Sequence, residues 1–140
     1  FKASDPQGIE VGKTPTVQSI SVTKGKNYQM TIEVTNSIEG EDITQEILEE
    51  AEEHQFFFLG QVFDSSFFSI QYADAGGIAL GVKTNVTVSA STGTNNSSMR
   101  VVLRHDLDKN FPGVSNPNFA NFVQAGGETD LDITFPVILN

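Results

Sequence analysis

The sequence predicts an all-β protein: an immunoglobulin-like antiparallel β-sandwich with one helical insertion, a single domain over residues 1–140. Three observations lead there. Most of the chain alternates apolar and polar residues with period 2, the mark of strands with one buried face. One segment, about 41–54, breaks that pattern with helical spacing. A chain of 140 residues can bury one proper core and is short for two.

The elements follow in order. Gln18, Ile20 and Val22 alternate with Ser19 and Ser21, and Tyr28, Met30, Ile32 and Val34 alternate with Gln29, Thr31 and Glu33. Gly25-Lys26-Asn27 between them predicts a hairpin turn. Over residues 41–54, Ile43, Ile47, Leu48 and Ala51 fall on one helical face. Asp42 is the expected N-cap, with Gln45 three residues on completing a capping box. Glu49, Glu50, Glu52 and Glu53 crowd the C-terminal end, where the helix dipole disfavours them. Such a departure from local consistency tends to mark a site. Phe56–Phe63 and Phe67–Tyr72 are apolar on both faces, so these strands are expected to lie centrally or under a cover. Val82, Thr84, Val86 and Val88 alternate with polar residues, as do Met99, Val101, Leu103 and His105, with a polar loop over 91–98 between them. A long connection over 106–127, rich in Gly and Pro, reads as an irregular surface excursion. Leu131, Ile133, Phe135 and Val137 close the set. The Cys…Trp…Cys pattern of true immunoglobulin domains is absent.

Eight Lys+Arg against 18 Asp+Glu give a net charge of −10. That balance argues against nucleic acid and anionic membrane surfaces and makes cations the natural counter-charges. Half of the acids lie between Glu33 and Glu53. With no cysteine, disulfides, thiolate catalysis and cysteine-based metal sites are excluded. No apolar run is long enough for a spanning helix.

Chemistry must come from few residues. His54 and His105 are the two histidines, and both are expected to face inward at the ends of their elements. Glu50 lies one helical turn before His54, and Glu53 beside it. Two imidazoles with Glu50 or Glu53, or with Asp106 or Asp108, suit zinc or a similar divalent ion. The two rings are predicted to lie within about 8 Å, a span one ion can bridge given zinc–nitrogen bonds of about 2.0–2.1 Å. The plainer alternative is a helix-end charge and a strand-end hydrogen bond. Asp5-Pro6-Gln7-Gly8, the loop 72–77 around Asp74, and the turn Gly126-Gly127-Glu128-Thr129-Asp130 pair acids with glycine as calcium loops do, without the alternating carboxylates of such loops. No nucleophile elbow or phosphate loop occurs. Asn85-Val86-Thr87, Asn95-Asn96-Ser97 and Asn96-Ser97-Ser98 match the short glycosylation pattern. The expectation is a protein that is not an enzyme.

Three stretches in order, residues 41–58, 103–109 and 125–137, resemble the signature of a family of small surface lipoproteins from Bacteroidetes-type bacteria, often encoded near TonB-dependent receptors. The resemblance covers essentially the whole chain. It implies a lipidated cysteine, a spacer and a first strand ahead of a segment like Phe1–Pro6, none of them within this chain. It also implies an outer-membrane, cell-surface location, with membrane contact only through that anchor. Relatives often carry a longer acid-rich loop at 72–80, where this chain keeps only Asp74. The expected function is an accessory to an outer-membrane transporter, capturing a metal ion or small ligand. Its partner would be an outer-membrane receptor or envelope complex. The alternative is a structural subunit of a surface fibre, layer or envelope complex, self-associating through strand or edge contacts.

Overall fold

The computed structural model describes residues 1–5 and 15–140, and these are mostly strand. The chain order is β1 (Ala3–Ser4), β2 (Thr16–Val17), β3 (Ile20–Val22), β4 (Asn27–Thr31), β5 (Thr35–Asn36), β6 (Glu41–Asp42), helix α1 (Ile43–Glu49), β7 (His54–Leu59), helix α2 (Gln61–Asp64), β8 (Phe68–Tyr72), β9 (Lys83–Val88), β10 (Asn96–His105) and β11 (Glu128–Leu139). Short 3₁₀ turns occupy Ala75–Gly77 and Phe122–Ala125.

Two sheets carry the structure, one ordered β3-β11-β10-β7 and the other β4-β9-β8, with small two-stranded ladders β1-β2 and β5-β6. One core cluster draws on both. Phe56, Phe58, Met99, Val101, Leu103, Val137 and Leu139 come from the first sheet, and Phe68, Ile70, Val86 and Val88 from the second. The predicted inward row on β10 is therefore observed. Its exception, Val102, is explained by a second cluster on the opposite face. There Phe57 and Val102 meet Leu107, Val114, Phe122 and Ala125 of the 106–127 connection. The excursion is thus a cover, which is why Phe56–Phe58 are apolar on both faces and fully buried.

Several expectations need correction. The helix is shorter than 41–54: Glu41–Asp42 pairs as a strand with β5, and His54 begins β7. Asp42 does cap α1, accepting from the Thr44 N–H, but Gln45 bonds Glu49 instead of reaching back. The helix ends at Glu50, where the acid run meets the negative end of the dipole. The strand expected over Phe56–Phe63 stops at Leu59. Gly60, at φ 101°, turns the chain into α2, a second helix the pattern missed. Gly25-Lys26-Asn27 is not a hairpin turn. β3 and β4 belong to different sheets, and the Gly25 N–H reaches Val88 and Ser89 carbonyls in an arch between them. Nor is every pairing antiparallel, since β3 runs parallel to β11, Ile20 opposite Val137. Of the candidate loop Asp5-Pro6-Gln7-Gly8, the last three residues lie outside the described residues. No described helix is long and apolar enough to cross a membrane.

Candidate functional site

β7 and β10 are antiparallel neighbours, and their register sets His54 directly opposite His105. The rings stack with centroids 4.4 Å apart and planes 4° from parallel, well inside the predicted span. His54 is 5% exposed, whereas His105 is partly open to solvent.

Each histidine is placed by local structure. The chain leaving α1 folds back so that the His54 N–H bonds the Glu50 carbonyl, while the ring Nδ1 lies 3.2 Å from the same oxygen. Nδ1 donates to that oxygen when it carries the ring proton, and Nε2 is then the nitrogen left for other partners. Nε2 faces Asp130, whose Oδ2 is 3.7 Å away. The same Oδ2 is 3.9 Å from His105 Nδ1. On the other side, His105 Nε2 lies 3.6 Å from Glu53 and 3.6 Å from Asp106. Glu50 Oε2 stands 3.8 Å from His54 Nδ1.

Four carboxylates therefore ring two imidazoles, each beyond hydrogen-bonding distance of about 2.7–3.2 Å. Among the described residues, two three-residue sets bring ligand atoms within 4.8 Å of one another: Glu50 with His54 and His105, and Glu53 with His105 and Asp106. The four predicted residues His54, His105, Glu50 and Glu53 are thus all brought to one place, and Asp106 with them. Asp108 is not; its Oδ1 accepts the Asn110 N–H. In the sequence Asp130 is only part of an acidic turn, far from either histidine. Nothing local signals that it reaches both, because β10–β11 register alone brings it there.

That register depends on the turn before it. A bulge falls at Leu103/Arg104, after which Arg104 faces Thr129 and His105 faces Glu128. Gly127 sits at φ 72°, and a Cβ there would overlap the His105 carbonyl oxygen, so only glycine fits. Arg104 ties the turn down, donating to Thr129 Oγ1 and to the Gly126 and Gly127 carbonyls. Burial pushes its guanidinium below the ordinary range, and the nearby Asp130 and Glu128 charges oppose that shift.

His54, His105, Glu50 and Asp130 line one end of a cleft of about 600 Å³, walled by α1, the β5 region and the first residues of the chain. A second, more apolar cleft of about 550 Å³ lies between β4 and β11, and shares Lys2, Ala3, Val34, Thr35 and Leu131 with it.

The loop at 72–80 is a different case. Asp74 spends both carboxylate oxygens on backbone N–H groups, Oδ2 on Gly81 and Oδ1 on Lys83. It is a loop clamp.

No family model and no curated protein matches this chain. Among solved structures, it is similar to a nucleoside hydrolase-related hypothetical protein from Saccharophagus degradans that is associated with carbohydrate metabolism. The TM-score is 0.39 and the identity 12%, over 89% of this chain. This chain spans 22% of that protein's length, and a likeness at this level carries no argument about activity.

Proposed function

We propose that this chain is a non-enzymatic, surface-exposed lipoprotein domain of an outer membrane, accessory to a transporter, that captures a divalent transition-metal ion at His54 and His105. The observation that carries the metal reading is the ring of carboxylates 3.6–3.9 Å from the two imidazoles. These gaps are too long for hydrogen bonds, yet they suit two ligands of one ion, whose bonds of about 2.0–2.2 Å allow separations up to roughly 4 Å. The His54 Nδ1 contact with a carbonyl is the usual outer-shell arrangement of a metal-bound imidazole. The cell-surface reading rests on the sequence resemblance, and the net charge of −10 agrees with a cation as cargo. For the fold we favour an immunoglobulin-like sandwich. Sheets of four and three strands sharing one core support it.

Zinc titration followed by thermal denaturation tests the metal. An ion that binds only the folded state stabilises it by about 2.7 kcal/mol at a hundred times its Kd. The melting temperature of the wild type should rise, and that of His105→Ala should not. An unchanged wild-type melting curve rejects the reading.

One observation favours the second reading, a structural subunit joined through strand edges. No described strand pairs with the outer edge of β4. Its outward residues Asn27, Gln29 and Thr31 carry none of the charge or proline that commonly guards an edge. Size measurement under native conditions decides it, a ladder of oligomers supporting and a strict monomer opposing.

A further inference from the structure

We infer that the site takes its metal as a complex with a small organic chelator, one that is neutral or cationic and largely apolar. The inference rests on the metal reading above and adds the class of ligand. His54 is the buried member of the pair. Its Nδ1 lies against the Glu50 carbonyl, and its Nε2 has Asp130 at 3.7 Å, beyond hydrogen-bonding distance. Glu50, His54 and His105, whose ligand atoms lie within 4.8 Å of one another, all line the cleft, so an ion held by them sits at the cleft's end, not on open surface.

An ion held by two imidazoles and a carboxylate keeps at least one open coordination position. The half-open cleft beside it has a volume of about 600 Å³, within the size range of small-molecule sites. A bare or hydrated ion needs a small fraction of that, since a water occupies about 30 Å³. The cleft walls near the ion are apolar at Val34, Ile43, Ile47, Leu103 and Leu131, and they continue into the second cleft between β4 and β11. Charge selects among chelators. Among the described residues, Glu39, Glu46, Glu50 and Asp130 line the cleft with the amine of Lys2. Polycarboxylate chelates are therefore repelled, whereas nitrogen-donor chelates that leave the ion's positive charge uncompensated are attracted.

Calorimetric titration with three probes tests this: zinc alone, the one-to-one zinc–phenanthroline complex, and zinc citrate. Phenanthroline without metal serves as the blank. Zinc–phenanthroline should bind at least about tenfold tighter than zinc alone, because its apolar rings leave water for the cleft walls, and zinc citrate weaker than either. Thr35→Trp fills the cleft from an exposed strand position. It should remove the advantage of the chelate while leaving zinc alone unchanged. His105→Ala should abolish all metal-dependent binding. His54→Ala is the less useful variant, since that ring is part of the core. If zinc alone binds as tightly as the chelate, or if Thr35→Trp leaves the chelate's affinity intact, the chelator is rejected and the ion site stands. If neither zinc nor its complexes bind, the metal reading falls and this inference with it.

Discussion

Asp74 and Asp130 are both acids beside glycines, and the sequence gives no reason to prefer one. Asp74 holds two backbone N–H groups at 2.7 and 2.8 Å and has little left to offer. Asp130 points one oxygen at two imidazoles from 3.7 and 3.9 Å and hydrogen-bonds neither. The difference is one of commitment. A carboxylate that accepts two backbone donors is part of the loop's framework. One that stands just beyond hydrogen-bonding distance of two imidazoles is placed for something that can bridge the gap. The count of acids near glycine does not separate these cases, whereas the fate of each oxygen does.

The largest effect should come from removing the turn that aims Asp130. Gly127→Ala forces a Cβ into the His105 carbonyl at a positive φ, and should cost about 3–4 kcal/mol and any zinc response. Urea denaturation measures it, and a loss under 1 kcal/mol would mean the β10–β11 turn relaxes freely.

Asp74→Ala should come next, at about 2 kcal/mol, because it strips the acceptor from the Gly81 and Lys83 N–H groups. Zinc affinity should not change. If it does, Asp74 is no mere clamp and the contrast fails.

Lys109 sharpens the Asp74 side. Its ammonium donates to the Ala51 and Ala79 carbonyls, and burial holds it below the ordinary lysine range, against the opposing charges of Glu52 and Asp74. The unfolded chain then binds more protons than the folded one between the lowered value and the ordinary one. Stability should therefore rise with pH across that window, from a cost fully present below it. Lys109→Met should flatten that alkaline rise in a pH series of denaturation curves.

The smallest effect on stability belongs to Asp130→Asn, within about 0.5 kcal/mol. Its zinc affinity should nonetheless fall by about 10–100-fold. A variant that loses stability but keeps its zinc response would reverse the roles of the two acids.

The strands on which one face is buried were legible, since alternation at Lys83–Val88 and along β10 states which side meets the core. The cover over Phe57 and Val102 was half legible, from apolar residues on the face that should have been polar. The meeting of His54 with His105 was legible as a coincidence of inward-facing ends. Three things were not. Gly25 permits a hairpin and an arch equally, and only long-range pairing decides. The acid run that reads as helix to His54 stops at Glu49, where its charges meet the carbonyl end of the dipole and the chain turns back to begin β7 at His54. Asp130 reaches the histidines through register across a bulge, which no window of sequence contains.

The parallel pairing of β3 with β11 bears on how the protein carries load. Ile20 lies beside Val137 and Val22 beside Leu139, with Asn140 bonded to Val22 and Lys24 to Asn140. A pull applied ahead of Ile20 and beyond Leu139 drives these two strands in opposite directions along their length. The ladder bonds then resist together in shear instead of opening one at a time as in a peeled hairpin. The histidine stack lies on β10 and β7, on the far side of β11 from β3, outside the pair of strands that is sheared.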